Sequence, residues 1–226
     1  MPEKLNETYF EQHIADYLAS SPLYVQRSPK DFDIEHLVDR ELLVGFLKAQ
    51  KDSWRRLLRI YGSEEEGVNE VIAVVNHKID RGESYLKLLR EGVVLRGVSF
   101  KLLQFKPDMH LEDETQRLYE QNRFAIVRQM KYSTTGPDKD HELDLCILIN
   151  GWPLMTFELK NEATGQTVQN AMRQYEYDRD ARNRMLKTCL VHFAMDNNTV
   201  MMTTRLEGEA TRFLPFNKDT KNPVVK

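Results

Sequence analysis

The sequence predicts an α/β fold: a mixed sheet flanked by helices and preceded by a mainly helical N-terminal region. Helical periodicity dominates residues 1–91, and short β-branched and aromatic runs replace it after Gly92. One well-signalled helix then interrupts those runs, so the order reads strand, strand, strand, helix, strand.

In residues 6–18, Tyr9, Phe10, His13, Ile14, Tyr17 and Leu18 recur at helical spacing, and Ser21 and Pro22 end the segment. Further helices are expected over 35–49, 53–61 and from the sixties to Asp80, the last with Val68, Ile72 and Val75 on one side. VVLRGVSFKLLQF, bounded by Gly97 and Pro107, reads as extended chain, and 111–122 as one more helix. The sheet should comprise RFAIVRQMKY, HELDLCILI and PLMTFELK, then, after the helix, MLKTCLVHFAM and TVMMTTRL. In that helix Val168, Ala171, Met172 and Tyr175 share a core-facing stripe. The expected organisation is a single domain over 1–216, mainly helical over residues 1–91 and with a sheet core over residues 92–216. The polar tail 217–226 reads as a linker.

Composition removes several function classes. A formal charge of -3 argues against coating nucleic acid by bulk electrostatics, though a local basic groove is compatible with it. KDSWRRLLR, the stretch from Arg128 to Lys131 and the stretch from Arg173 to Lys187 are basic clusters that read equally as solvated faces or DNA contacts. Cys146 and Cys189 sit in apolar runs as small core residues, and the six histidines form no zinc pattern. His141 is the histidine to follow, because it precedes the acidic strand. No apolar run reaches the ~18 residues of a spanning helix, and the N-terminus lacks a secretory signal, so a cytoplasmic location is expected.

Chemistry concentrates in two strands. Glu158 and Lys160 are two apart in PLMTFELK and so share a face. In HELDLCILI, Asp144 is a carboxylate in an apolar strand, which is costly unless something compensates it; a metal ion would. Two acids and a cation are the minimum protein kit for metal-assisted phosphodiester hydrolysis, with magnesium held by carboxylate oxygens. A plain two-residue turn at Asn150-Gly151 would pair Asp144 with Phe157 and point the two carboxylates apart. A shared site therefore calls for an odd-numbered loop with Gly151 at positive φ. Asp138 and Asp140 compete for the first acid, but the turn TTGPDKD reads as too early and too flexible.

The D-x13-E-x-K spacing, followed by a helix bearing Gln174 and Tyr175, resembles the PD-(D/E)xK nuclease superfamily. More narrowly, NETYFEQHIADYL, LYVQRSPKDFD, NRFAIVRQMKY, ELDLCILINGWPLMTFELKN and TGQTVQNAMRQYEYDRD resemble the N-terminal region of type I restriction enzyme R (HsdR) subunits. The resemblance implies a type I site-specific deoxyribonuclease domain that cleaves double-stranded DNA with Mg2+. It would be coupled to an ATP-driven motor further along the subunit and assembled with methyltransferase and specificity subunits. This sequence has no phosphate loop, so ATP binding is not expected here.

By the same resemblance Asp144 and Glu158 would ligate magnesium. Lys160 would position water or stabilise developing charge, and Gln174 would support cleavage. Many relatives carry Q-x-x-x-Y on this helix; here Asp178 stands four residues after Gln174, with Tyr175 and Tyr177 nearby. Tyr175 reads as core packing by its phase, with DNA contact the alternative. Glu11 resembles an acid that approaches the metal in related nucleases, a solvated helix face being the simpler account. Arg128, Gln129 and Lys131 could touch phosphate, but Arg128 and Gln129 should face opposite ways. The competing readings are a noncatalytic docking module with a nuclease fold and a standalone repair nuclease of the same superfamily.

Overall fold

The structure is a computed structural model that describes residues 7–107 and 113–216. The chain divides into two compact units. Of the described residues, the first comprises 7–30, 125–148 and 153–216, and the second 31–107, 113–124 and 149–152. The expected linker 217–226 lies outside the described residues.

The first unit holds α1 (Glu7–Ala19), β1 (Tyr24–Arg27) and the arms of β6 (Phe124–Lys131), β7 (Glu142–Ile149) and β8 (Trp152–Leu159). After these come α7 (Val168–Arg173), a π-helical turn (Gln174–Asp178), α8 (Arg184–Thr188), β9 (Val191–Met195), β10 (Val200–Thr203) and β11 (Leu214–Pro215). The strands form one seven-stranded sheet in the order β1-β6-β7-β8-β9-β10-β11. It is mixed, as expected: β8 and β9 run parallel with Thr156 opposite His192, whereas β9 and β10 are antiparallel.

The second unit is mainly helical. It holds β2 (Phe32–Asp33), β3 (Val38–Asp39), α2 (Arg40–Ala49), α3 (Lys51–Tyr61), α4 (Glu64–Asp80), α5 (Tyr85–Glu91), β4 (Val93–Leu95), β5 (Val98–Phe100) and α6 (Asp113–Glu120). Val68, Ile72 and Val75 are buried, so the stripe read along α4 is its core face. Asp39, Ser63 and Ser84 cap α2, α4 and α5 by accepting from Leu42, Glu66 and Lys87 N–H groups. The Asp39 cap explains why the helix expected from residue 35 begins at Arg40: the preceding residues pair as β2–β3.

Two other expectations need correction. MLKTCLVHFAM is not one strand, because Asn183 accepts from the N–H groups of Met185 and Leu186 and starts α8, leaving β9 to begin at Val191. On α1 the buried residues are Glu11 and Ala15, while Tyr9 and Tyr17 are 48% and 74% exposed. The aromatic stripe is therefore not the face that packs.

The β7–β8 turn also differs. It is a two-residue turn with Asn150 at φ +49 and Gly151 at φ +89, as in a type I′ hairpin. Gly151 has the positive φ expected, but the loop is not odd. Within the second unit the turn is fixed from several directions. Asn150 Nδ2 donates to Leu102 O and Asn122 Oδ1, its Oδ1 accepts from Arg123 N, and Gly151 O accepts from Asp39 N at 2.8 Å.

Candidate active site

Asp144 and Glu158 come together despite the two-residue turn. A strict ladder counted from that turn would set Phe157 opposite Asp144. Instead, Asp144 Oδ2 accepts the Leu159 N–H at 2.7 Å, and the Asp144 charge acts directly on Glu158. Asp144 therefore reaches the backbone two residues beyond the position that the turn sets opposite it. Pro153 interrupts β8 as a donor, since it has no N–H to give the ladder. Beyond β8 the parallel pairing continues through Lys160 N to Met195 O at 2.8 Å, which fixes the backbone of the ELK segment.

The electrostatics are those of a site short of positive charge. Burial pushes the Asp144 carboxyl above its usual range; the Leu159 N–H and Lys160 pull it down, and Glu7 and Glu11 push it up. Glu158 is fully buried, and burial pushes its carboxyl well above the usual carboxylate range. Asp144 adds to that rise, while Arg179 and Lys160 oppose it. Raised carboxyls in close proximity are a common mark of functional sites.

Glu158 Oε1 accepts from Arg179 Nε at 2.8 Å and Nη2 at 2.7 Å, whereas its Oε2 is buried with no hydrogen-bond partner. A buried carboxylate oxygen without a partner costs free energy unless something outside the chain satisfies it. Among the described residues no group of three or more His, Cys, Asp or Glu is placed to hold a metal. Magnesium, however, binds through one or two carboxylates and keeps its remaining waters, so Asp144 with Glu158 fits that ion.

Helix α1 supplies more of the site than its sequence suggested. Glu11 is not on a solvated face: it is 1% exposed, with Oε1 on Arg128 Nε at 2.5 Å and Oε2 on Gln129 Nε2 at 2.6 Å. Arg128 also donates to Gln12 Oε1. The expectation that Arg128 and Gln129 face opposite ways is thus incorrect. Gln129 has φ +48, which breaks the two-residue alternation of β6 and lets consecutive side chains grip one carboxylate. One turn earlier, Glu7 accepts from Lys160 Nζ at 2.5 Å, a partner that no pattern announced. Lys131 is exposed.

The π-helical turn places the remaining residues. Asp196 accepts from Val168 N at 2.8 Å and so fixes the start of α7. Tyr175 is fully buried, its hydroxyl 2.8 Å from Thr156 Oγ1, so its place is in the core; Tyr177 is 62% exposed. Gln174 is half-buried and makes no bond to either carboxylate among the described contacts. The chain then turns extended at Arg179, whose guanidinium returns to Glu158 and also donates to Glu142 O at 2.8 Å. Arg179 lies inside the Arg173 to Lys187 run that reads equally as a solvated face or a DNA contact. The signal that could have found it is the buried Glu158, which demands a cation.

Asp138 is not in a flexible turn. It is 1% exposed and accepts from Asp180 N, so it braces the Arg179 segment and not the carboxylate pair, and His141 Nδ1 lies 3.5 Å from its Oδ1. A cleft of about 840 Å3 lies along Asp180, Arg182, Lys187, Arg205 and Glu207; of the site residues only Arg179 reaches it.

His192 marks the polar interior beside the site. Its Nδ1 lies 2.7 Å from Thr156 Oγ1, and burial pushes its pKa down to about 4, partly opposed by a bond to the Leu186 backbone. The folded state therefore binds this proton less readily than the unfolded chain. Stability from His192 is complete above about pH 6.5 and is lost as pH falls toward 4, a change of about 3 kcal/mol. In urea titrations at pH 7.5 and pH 5, wild type should lose on the order of 2 kcal/mol more than His192→Gln. Equal losses would contradict the buried neutral imidazole.

A seven-stranded mixed sheet flanked by helices, with two acids and a lysine at adjoining strand ends, is consistent with a restriction-endonuclease-like core. A family model described as the type I restriction enzyme R protein N terminus matches residues 4–211, and the chain belongs to that family. No curated protein and no solved structure matches it. Among the described residues no helix is long and apolar enough to cross a membrane.

Proposed function

We propose that this chain is the DNA-cleaving domain of a type I restriction enzyme R subunit, hydrolysing phosphodiester bonds of double-stranded DNA with magnesium. The observation that carries the reading is the buried, unpartnered Glu158 Oε2, one residue before the Leu159 N–H that Asp144 Oδ2 accepts and two before Lys160. Asp144 and Glu158 would hold the ion, which when bound supplies neutralisation of the phosphate and a more acidic attacking water. Lys160 exchanges its Glu7 partner for the water or for charge developing on the phosphate. Glu11 keeps Arg128 and Gln129 beside the site, where Arg128 can meet backbone phosphate. Gln174 supports cleavage from the π-helical turn. Recruitment would come through the methyltransferase and specificity subunits in the cytoplasm, and ATP would be used elsewhere in the subunit.

The Glu7–Lys160 ion pair is the one feature that favours a noncatalytic docking module, since it occupies the lysine. Plasmid cutting by the reconstituted complex with magnesium and ATP separates the two. Asp144→Ala and Lys160→Ala should each lower cutting by at least about a hundredfold with DNA binding and ATPase intact. Unchanged cutting would overturn the catalytic assignment of these residues.

A further inference from the structure

Each carboxylate of the site has one oxygen already committed within the protein. Glu158 Oε1 receives two donors from a single guanidinium, Arg179 Nε at 2.8 Å and Nη2 at 2.7 Å. Asp144 Oδ2 receives the Leu159 N–H at 2.7 Å. Glu158 Oε2 is left without a partner, and Asp144 Oδ1 forms no hydrogen bond among the described contacts. Arg179 is itself held firmly, with a side chain 4% exposed. Its Nη2 donates to Glu142 O at 2.8 Å, its guanidinium carbon lies 5.7 Å from the Tyr132 ring centre, and Asp138 secures the backbone of the next residue. So fixed a cation cannot swing away cheaply, because leaving Glu158 would strand two buried charges.

We propose that Arg179 is a positioning residue that limits this site to one divalent cation. It takes the Glu158 oxygen a second ion would need and leaves Oε2, with Asp144 Oδ1, for the first. The inference rests on the magnesium reading above. Arg179 acts here as a built-in monovalent substitute for a second metal: a guanidinium already beside Glu158 opposes another doubly charged ion at close range.

The test is direct binding of Mn2+ alone to the full chain, by calorimetry and by loss of the free-ion electron paramagnetic resonance signal. Wild type should take up one equivalent, lost in Asp144→Ala. Arg179→Gln, which keeps a donor for Glu142 O but removes the charge, should take up a second equivalent. Arg179→Lys should retain one and remains informative if the glutamine variant fails to fold. Two equivalents on wild type or on Arg179→Lys, or one on folded Arg179→Gln, would overturn the inference while leaving the magnesium reading intact. No uptake by wild type at millimolar Mn2+ would overturn both.

Discussion

In metal-free buffer at neutral pH, Asp144→Asn should melt above wild type, while its reconstituted complex cuts plasmid DNA at least about a hundredfold more slowly. Both halves have one cause. Burial, with Glu7 and Glu11 nearby, raises the Asp144 carboxyl above its unfolded value. An acid shifted in that direction contributes its full stability below the unfolded pKa and loses it as pH rises through the folded pKa, so toward neutral pH its burial costs the fold stability. Asparagine removes that charge, yet its amide oxygen can still accept the Leu159 N–H. Thermal melts beside cleavage assays check this, and a variant that melts lower than wild type would contradict the electrostatic account.

Gly151→Ala should cost about 3–4 kcal/mol of stability. The residue sits at φ +89, where an L side chain is strained by roughly 1 kcal/mol. The added Cβ would also stand 2.3 Å from Asp39 O and 3.0 Å from Leu43 N. Those neighbours are backbone at the capped start of α2, so relief means moving the helix start or breaking the Asp39 N–H bond to Gly151 O. Chemical denaturation checks the figure. A loss below about 1 kcal/mol would mean that the turn can shift away from α2 at little cost.

The features of the site that were legible in the sequence are those with a local signal. Glu158 and Lys160 share a face because a strand alternates, and Asp144 stands out as a charge in an apolar run. What was illegible depended on broken periods or on distance along the chain. The positive φ of Gln129 puts two adjacent side chains on one carboxylate, and no alternation rule allows for that. Glu11 is buried although the apolar stripe of α1 pointed elsewhere, because its two partners come from a strand more than a hundred residues away. Arg179 reaches Glu158 only after a π-helical turn that shifts the phase of the helix before it. The odd loop was a sound deduction from strict alternation, but Asp144 reaches Leu159 without it.

Helix α1 joins the two halves of the electrostatic design, since Glu7 holds Lys160 and Glu11 holds Arg128. In the proposed reaction those cations turn from protein carboxylates toward a phosphate. The same acids push up the Asp144 carboxyl, so the site is most strained when nothing is bound.

The most direct measurement is plasmid cutting by the reconstituted complex carrying Glu158→Gln, with magnesium and ATP. Glutamine keeps the shape of the side chain and an oxygen for Arg179, and it replaces the unpartnered Oε2 with an uncharged group. The account predicts that DNA binding and ATP hydrolysis persist while cutting falls by at least about a thousandfold. Cutting at the wild-type rate would contradict it.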